Sequence, residues 1–303
     1  MKEGPAARSS LKSGARSRLV SYMRKAIGLV GSVAMGVFFG VTASHAETTN
    51  CTAINAVPFT ISSPGSYCLT IDLGHAAFAS GNAITIAANA VVLDLNEHKL
   101  GGSAAGVGTQ AIGIYGLNRR QITIKNGTVR GYLRGIWLDD TTGSFTASRG
   151  NLIEDVHAES NTETGIRISG HGSIVRGNKV ADTGGTTSSG PNVPTFGIQV
   201  FGPENRILDN DVTDTLPVGS EISVGISAAG EGTIVEGNRV GNGALVASKG
   251  LALTGGDVLA VGNRMSRFTT GLEMSGSGGK YRDNLTAGCT TAYSGVTDVG
   301  NNQ

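Results

Sequence analysis

The sequence predicts an all-β solenoid, because one short pattern recurs along most of its 303 residues. In five successive units a glycine stands thirteen residues before an asparagine: Gly165 and Asn178, Gly197 and Asn210, Gly225 and Asn238, Gly250 and Asn263, and Gly271 and Asn284. Looser copies begin at Ala83, Gly113 and Gly135, and the last of these reaches Asp155 after an insertion. Units of this length cannot bury an apolar face alone, so they must stack on their neighbours.

Each unit contains three short strand patterns and no helical pattern. The first segment alternates aliphatic and polar residues, as in Ile166 and Ile168, which is typical of a strand with one buried face. A second segment precedes the asparagine and a third follows it, with Val175 and Val180 as their aliphatic residues in one unit. Parallel strands need crossovers, so three strands per turn predict a right-handed parallel β-helix of about eight to nine coils.

The recurring asparagine falls at the corner between the second and third strands. Asparagine tolerates the left-handed backbone conformation, and its amide can bond to the same amide one coil away. We therefore predict a structural ladder of asparagine side chains, extended at its N-terminal end by the two looser units. Its members are Asn96, Asn126, Asn178, Asn210, Asn238, Asn263 and Asn284.

Residues 1–46 differ in composition from the repeats. A basic start is followed by the apolar run Ala26 to Ala43, and Ser44-His45-Ala46 offers the small residues that a signal peptidase reads. We predict a signal peptide cleaved near Ala46, with Met23 as an alternative translation start, and a secreted, periplasmic or cell-surface protein. A retained membrane anchor is the alternative, although four glycines dilute the apolar run. The predicted remainder is an N-terminal cap and first coil over 47–82, repeats over 83–288 and a C-terminal cap or tail over 289–303.

The charge balance excludes nucleic acid as a partner. The predicted leader holds seven of the 24 Lys and Arg residues and one of the 23 Asp and Glu residues. The remaining 17 basic and 22 acidic residues give a net charge of about −5, that is 17 minus 22. A protein that neutralises phosphates needs an excess of basic residues on one face. We expect the mature form not to span a membrane, and its oligomeric state cannot be read from the sequence.

Three cysteines follow the leader. Cys51 and Cys68 bracket a segment that does not repeat, and export would permit a disulfide. We predict that they pair as a staple for the N-terminal cap, because the open end of a solenoid must be protected from edge-to-edge addition. Cys289 lies in the last coil, either as a buried apolar residue or as an exposed thiol that could join two copies.

The chain resembles the secreted right-handed parallel β-helix proteins of bacteria, the pectate-lyase-like superfamily. The residues that carry the resemblance are Ala83-Ile84-Thr85-Ile86, Val91 to His98, and units such as Gly165-Ile166-Arg167-Ile168 with Val175-Arg176-Gly177-Asn178. The resemblance covers roughly Phe59 to Thr286 and implies the fold. It does not select a function, because that superfamily includes polysaccharide lyases, epimerases, hydrolases, phage tailspikes and adhesins.

Outward-facing residues of the first strands supply the candidate binding site. Residues at equal offsets in neighbouring coils lie about 4.8 Å apart, so equivalent positions form columns. These columns place six residues on one patch: Tyr115, Trp137, Asp139, Arg167, Gln199 and Phe201. Aromatic faces stack on sugar rings, and Arg can bind a uronate carboxylate bidentately. Insertions over 141–149 and 184–195 could wall this face. Alternatively, these aromatic residues only cover neighbouring side chains.

We therefore predict a protein that binds an extended polysaccharide or a cell-surface glycan. The first alternative is a polysaccharide lyase or hydrolase, and the second is a structural or adhesive surface protein without catalytic activity. Asp139, Asp140, Arg167 and His171 are the catalytic candidates. Asp139-Asp140 with Gly170-His171-Gly172 resembles motifs of polygalacturonases, in which acidic residues flank the scissile bond. The other polygalacturonase motifs have no counterpart, and Trp137-Leu138-Asp139-Asp140 lacks the histidine of the pectate-lyase pattern.

We expect no cofactor, with one possible exception. Asp209, Asp211 and Asp214 could hold Ca²⁺ through carboxylate oxygens. The alternative is a ladder of alternating charge, because Lys179 and Arg239 occupy the offset of Asp211 in the flanking units. His75, His98, His157 and His171 are too scattered to form a pair at metal-ligand spacing.

Overall fold

The computed structural model describes residues 50–74, 79–295 and 297–303. The predicted signal peptide and His75 lie outside the described residues. Within these ranges almost all regular structure is β-strand, and a short 3₁₀ helix at Ser103–Ala105 is the exception. No helix in these ranges is long and apolar enough to cross a membrane.

The strands form three columns in which every strand pairs in parallel with its counterparts in the adjacent coils. The first column contains Phe59–Ile61, Asn82–Ile86, Ile112–Leu117, Arg134–Asp139, Thr164–Ser169, Thr195–Phe201, Ser223–Ala229, the second halves of Arg239–Thr254 and Arg264–Ser275, and Thr291–Gly295.

The second column contains Thr52–Ile54, Gly65–Leu69, Val91–Asp94, the first halves of Ile122–Arg130 and Leu152–Glu159, Ile174–Arg176, Arg206–Leu208, Ile234–Glu236, Leu259–Val261, Lys280–Arg282 and Thr297–Asp298. The third contains Leu73–Gly74, Lys99–Gly101, the second halves of Ile122–Arg130 and Leu152–Glu159, Lys179–Thr183, Asp211–Thr215, the first halves of Arg239–Thr254 and Arg264–Ser275, and Leu285–Ala287.

Aliphatic side chains fill the interior between the three columns. In the first column Ile166, Ile198, Ile226, Leu251 and Leu272 are in register from coil to coil, and each is 0% exposed. The inward residues of the other two columns belong to the same apolar cluster. Stacking like residues on like residues gives one continuous core, and the chain is a right-handed parallel β-helix, as the sequence predicts.

The buried corner asparagines bond to one another. Asn178 Nδ2 donates to Asn210 Oδ1 at 3.0 Å, and the same bond joins Asn210 to Asn238 at 3.0 Å and Asn238 to Asn263 at 2.9 Å. Asn263 and Asn284 are joined in the same way, and Asn284 donates to Asn302, which the repeat pattern did not include. Each Oδ1 also accepts the backbone N–H of the preceding asparagine.

The left-handed backbone conformation predicted for the seven asparagines is found only at Asn96 and Asn126, with φ of 54° and 59°, and is wrong for the five from Asn178 onward. The residue with positive φ precedes each asparagine: Gly177 at 63°, Asp209 at 53°, Gly237 at 69°, Gly262 at 64° and Asp283 at 56°. The asparagine is therefore selected by its amide group, which satisfies buried backbone groups such as the Val175 carbonyl.

The ladder also begins later than the sequence suggests. Strand register aligns Gly127 with Val156. In the next coil His157 pairs with Lys179, so Val156 and Asn178, each one residue earlier, occupy equivalent positions. Asn126 and Asp155 therefore occupy the preceding, positive-φ position, at 59° and 52°. Asn126 donates to the Asp94 carboxylate at 3.3 Å, and Asn96 donates to the Leu69 carbonyl at 3.3 Å. Ile124 follows Ile114 by ten positions, whereas the equivalent Val175 follows Ile166 by nine, so equal sequence spacing does not give equal position.

A second buried polar stack lies at the corner between the first and second columns. Ser173 N donates to Asn205 Oδ1 at 2.8 Å, and Asn151 N donates to Ser173 Oγ at 3.3 Å. Asn151 Oδ1 accepts the N–H of Ile122 at 3.0 Å. The sequence did not reveal this stack because its members differ in residue type.

Cys51 and Cys68 form a disulfide, with their Cα atoms 5.8 Å apart. The disulfide joins the start of Thr52–Ile54 to Gly65–Leu69, the strand with which it pairs. Cys289 has a free thiol and is partly buried against the core. The predicted tail contains two further rungs, because Thr291–Gly295 and Thr297–Asp298 pair with the coil before them.

Candidate functional site

The structure brings the six predicted binding residues onto one face of the first column. Tyr115 is paired with Trp137, Trp137 with Arg167, and Arg167 with Gln199 in successive strands. Asp139 and Phe201 lie two residues further along their strands, next to Leu117 and Ser169. We call this set of six residues the Trp137 patch.

Ring and guanidinium contacts hold the Trp137 patch together. The Tyr115 and Trp137 rings meet edge to face with centroids 5.2 Å apart. The Arg167 guanidinium lies 5.4 Å from the Trp137 centroid and 5.2 Å from the Phe201 centroid. Because cation–π contacts at such distances are attractive, Arg167 links the two aromatic side chains across three coils.

The sequence analysis missed Arg134 and Glu163, which complete the surroundings of the Trp137 ring. The Arg134 guanidinium lies 4.4 Å from the ring centroid and forms an ion pair with Glu163, whose carboxylate is buried. Glu163 Oε2 accepts a hydrogen bond from Ser189 Oγ at 3.0 Å. Arg134 therefore packs on the tryptophan, and Glu163 ties it to the insertion 184–195.

Three polar atoms of the patch have no hydrogen-bond partner among the described residues: Trp137 Nε1, Arg167 Nε and Gln199 Oε1. These atoms are also shielded from water, and an unpaired polar atom away from water costs free energy, so a ligand group that reached one of them would be favoured. The half-buried Asp139 carboxylate likewise makes no hydrogen bond or ion pair within the described ranges. Donors and acceptors that the protein itself does not use are typical of surfaces that bind polar ligands.

Burial and neighbouring charges shift the pKa values of two members of the patch, Arg167 and Tyr115. Burial, followed by the nearby Arg134, lowers the pKa of Arg167, whereas Asp139 and Glu163 oppose that shift. Arg nevertheless stays cationic near neutral pH. Burial and the Asp139 charge raise the pKa of the Tyr115 hydroxyl, which makes it a donor rather than a base.

Segments between the columns border both edges of this face. On one edge, the insertion 184–195 reaches back to the coil three before it, because Thr187 N donates to the Val107 carbonyl at 3.0 Å. It also reaches forward, through the Ser220 N–H bond to Asn192 Oδ1 at 2.8 Å. On the other edge, the insertion 141–149 is joined to Asn118 through Thr141. The two insertions therefore flank the coils that carry the patch.

Asp140 holds the insertion 141–149 in place. Its carboxylate accepts the N–H groups of Thr142 at 2.8 Å, Ala147 at 2.9 Å and Ser148 at 2.7 Å, as well as the Thr142 hydroxyl. Burial alone would raise its pKa, but these hydrogen bonds outweigh burial and the pKa lies below its ordinary value. A carboxylate so fully bonded is suited to fixing a loop rather than to moving protons.

His171 lies apart from Asp139, at the corner that follows the first column. Its Nε2 is 2.8 Å from Glu204 Oε2, and its backbone pairs with Arg149, which pairs with Arg120. The four catalytic candidates are therefore not brought together as one constellation. Asp139 and Arg167 lie in the Trp137 patch, and Asp140 holds the insertion 141–149. His171 lies beside Arg149 at the corner that follows the first column.

Two of the three acidic residues proposed for Ca²⁺ have other partners. Asp211 lies in register between Lys179 and Arg239 and forms an ion pair with Arg239. Asp214 Oδ1 accepts the Gly243 N–H at 2.6 Å. No group of three or more His, Cys, Asp or Glu side chains within the described ranges is arranged to hold a metal ion.

Comparison with known proteins extends only to fold. No protein-family model matches the chain, and no curated protein is similar to it in sequence. The enzymatically active domain of bacteriophage CBA120 tailspike protein 2 is similar in structure, with a TM-score of 0.51 and 14% identity over 79% of this chain and 41% of that chain. The Dettilon tailspike protein has a TM-score of 0.43 and 12% identity over 80% and 60% of the two chains.

The A-module of the Azotobacter vinelandii mannuronan C-5 epimerase has a TM-score of 0.40 and 13% identity over 83% of this chain and 78% of that chain. This chain spans about two fifths of the length of the CBA120 tailspike domain. Since these identities are low, the likeness concerns architecture alone. The parallel registers and the tailspike likeness agree that the chain is a right-handed parallel β-helix, with the Trp137 patch on the outside of its first column of strands.

Proposed function

We propose that this protein binds an extended polysaccharide along the Trp137 patch. The observation that carries the proposal is the combination, on four adjacent coils, of an aromatic cluster with unpaired polar atoms and an unpaired carboxylate. Sugars present both apolar ring faces and hydroxyl groups, so they need a surface of this mixed kind. The CBA120 tailspike domain that shares the fold is an enzymatically active domain.

The position of Arg134 restricts how a sugar could contact Trp137. Because its guanidinium already packs on the Trp137 ring, a sugar would meet the stack of Arg134, Trp137 and Arg167 at its outer edge rather than cover one bare indole face. Arg167 makes no ion pair within the described ranges, so its guanidinium can bond to ring hydroxyls or to a uronate carboxylate. The patch thus favours hydroxyl- and carboxylate-bearing glycans.

The signal for a binding experiment is built into the chain. Trp137 is its only tryptophan, so intrinsic fluorescence reports on the patch alone. We expect a saturable fluorescence change on titration with uronate or neutral oligosaccharides. Arg167→Gln should weaken uronate binding about tenfold, which corresponds to about 1.4 kcal/mol, and weaken neutral sugars less. Ser227→Ala, at the same outward offset one coil beyond Gln199, serves as the matched control.

Calorimetry should accompany the fluorescence, because Trp137→Ala removes the reporter together with the ring. Loss of binding in Trp137→Ala, with unchanged circular dichroism, would support the proposal. No saturable signal with any saccharide of a broad panel would contradict it and favour a structural or adhesive surface protein.

A polysaccharide lyase is the second candidate, and the unpaired Asp139 carboxylate beside Arg167 is the observation that favours it. In a lyase a cation neutralises the uronate carboxylate while a base removes the neighbouring proton. Asp139→Asn should abolish release of unsaturated uronate, measured by ultraviolet absorbance, while a saturable fluorescence change on titration remains. Absence of unsaturated product from the wild-type protein would leave binding as the function.

The location follows from the same proposal. The Cys51–Cys68 disulfide is typical of proteins that fold in an oxidising compartment. We therefore propose that the protein works outside the cytoplasm, where it would meet a cell-surface or extracellular glycan, and that residues 1–46 act as the export signal.

A further inference from the structure

A basic cleft lies at the corner between the first and second columns. Its volume is about 540 Å³, and it is lined by Arg120, Arg149 and His171 together with Gln121, Gly150 and Gly172. These residues belong to the coils that begin at 113, 135 and 165. None of them is a member of the Trp137 patch, so the cleft is a separate feature of the same coils.

Isolated β-bridges place the three basic residues of this cleft in adjacent coils, directly beside one another. Arg120 pairs in parallel with Arg149, and Arg149 pairs with His171. Adjacent coils are about 4.8 Å apart, so the three side chains emerge as a short row. In the following coils the offset of His171 is occupied by Pro203 and Glu231, which ends the basic row.

The two arginines have no carboxylate partner. Both are exposed, and neither forms an ion pair among the residues that the structure describes. The third residue of the row has an acidic partner, because His171 Nε2 is 2.8 Å from Glu204 Oε2. Like charges directly opposite on adjacent strands are destabilising. In the third column an acidic residue separates two such cations, because Asp211 lies between Lys179 and Arg239, although Arg239 is also directly opposite Arg264.

We propose that the basic cleft binds the oxyanion of a phosphate or sulfate ester carried by a glycan. An oxyanion between Arg120 and Arg149 would relieve their mutual repulsion and accept hydrogen bonds from both planar guanidinium groups. Gln121 and the space above Gly150 and Gly172 leave room for the rest of the ester. The chain after the predicted leader is acidic overall, with 17 basic and 22 acidic residues by the count above, so general attraction to polyanions does not account for the row.

Titration with modified dextrans of one chain length tests this inference at low salt. We expect the wild-type protein to bind dextran sulfate or phosphorylated dextran and to bind neutral dextran far more weakly. The double variant Arg120→Gln/Arg149→Gln should lose about tenfold or more in affinity. Competition by inorganic phosphate and inorganic sulfate would identify the preferred ester, and either preference supports the proposal.

Two further variants separate the cleft from general electrostatics and from misfolding. Arg206→Gln/Arg264→Gln removes two charges from exposed positions outside the cleft, and we expect it to retain affinity within about twofold. Glu204→Gln removes the carboxylate beside His171 and should tighten binding. Equal losses in both double variants, or no ester binding by the wild type, would overturn the proposal. The substituted residues lie outside the Trp137 patch. A negative result for the basic cleft would therefore leave the proposal for the Trp137 patch unaffected.

Discussion

At the scale of single residues, the corner asparagines of the ladder combine several hydrogen bonds with nearly complete burial. Asn210 donates to Asn238 Oδ1 and to the Val175 carbonyl, and its Oδ1 accepts both the backbone and the side-chain N–H of Asn178. Substitution removes one amide but leaves several buried groups without partners. The loss in the free energy of unfolding is therefore set by the buried groups left without partners rather than by the hydrogen bonds that the substitution removes.

Asn210→Ala should lower the free energy of unfolding by about 3 kcal/mol, because each buried polar group left unpaired costs about 1–3 kcal/mol. Urea unfolding followed by circular dichroism measures this change. The matched control is Asn192→Ala, whose exposed amide bonds to Ser220 at the surface, and we expect about 1 kcal/mol or less there. Equal effects at the two sites would refute the ladder as a source of stability.

Sequence spacing predicted which asparagines join only where all coils share one turn length. From Asn178 onward the thirteen-residue spacing and the strand register agree, whereas Asn126 is displaced by one position. Register depends on the conformation of each turn, which a residue count does not contain. The sequence analysis missed the contact between Arg134 and Glu163 for a related reason. They are 29 residues apart, and only the stacking of coils makes them neighbours.

At the scale of elements, the insertion 141–149 depends on one carboxylate. From the sequence we placed this loop beside the candidate site but interpreted Asp140 as a catalytic candidate. A pair of aspartates looks the same in a sequence whether it is catalytic or holds a loop. Only the hydrogen bonds from Thr142, Ala147 and Ser148 reveal that the second aspartate fixes the loop. The position of a loop can thus be predicted from a break in the repeat, whereas its conformation cannot.

Asp140→Asn should lower the free energy of unfolding by about 2 kcal/mol near neutral pH, since charge-assisted hydrogen bonds are lost. The pKa of Asp140 is lower in the folded chain than its ordinary value of 3.8. Its stabilisation is therefore complete above about pH 3.8 and is lost as pH falls through the lower folded pKa. Denaturant unfolding across acidic pH should show the difference between wild type and variant shrinking in that range.

The exposed Asp182→Asn is the matched control, because Asp182 forms no hydrogen bond or ion pair through its carboxylate within the described ranges. We expect its effect to be near zero at every pH. A difference for Asp140→Asn that stays constant down to the most acidic conditions would show that its charge does not hold the loop.

At the scale of the whole molecule, the disulfide restrains the N-terminal end of the stack. Cys51 and Cys68 are 17 residues apart, and a crosslink closing a loop of that length stabilises a protein by about 3 kcal/mol. Cys51→Ala/Cys68→Ala should lower stability by about this amount. If the segment caps the solenoid, as the sequence predicts, the variant should also self-associate in sedimentation experiments. Cys289→Ala is the control and should leave the association state unchanged.

Each coil pairs only with its immediate neighbours, so stability should decline toward the ends of the stack. Strands of central coils such as Thr195–Phe201 have partners on both sides, whereas Thr291–Gly295 pairs on one side only and its side chains are mostly exposed. In a nearest-neighbour array an end coil loses one interface on unfolding, while an inner coil loses two. Hydrogen exchange followed by mass spectrometry should therefore find slow exchange in Thr195–Phe201 and Ser223–Ala229 and fast exchange in Thr291–Gly295. Uniform protection along the chain would mean that the solenoid unfolds as one cooperative unit, because inter-coil coupling then exceeds the stability differences between coils.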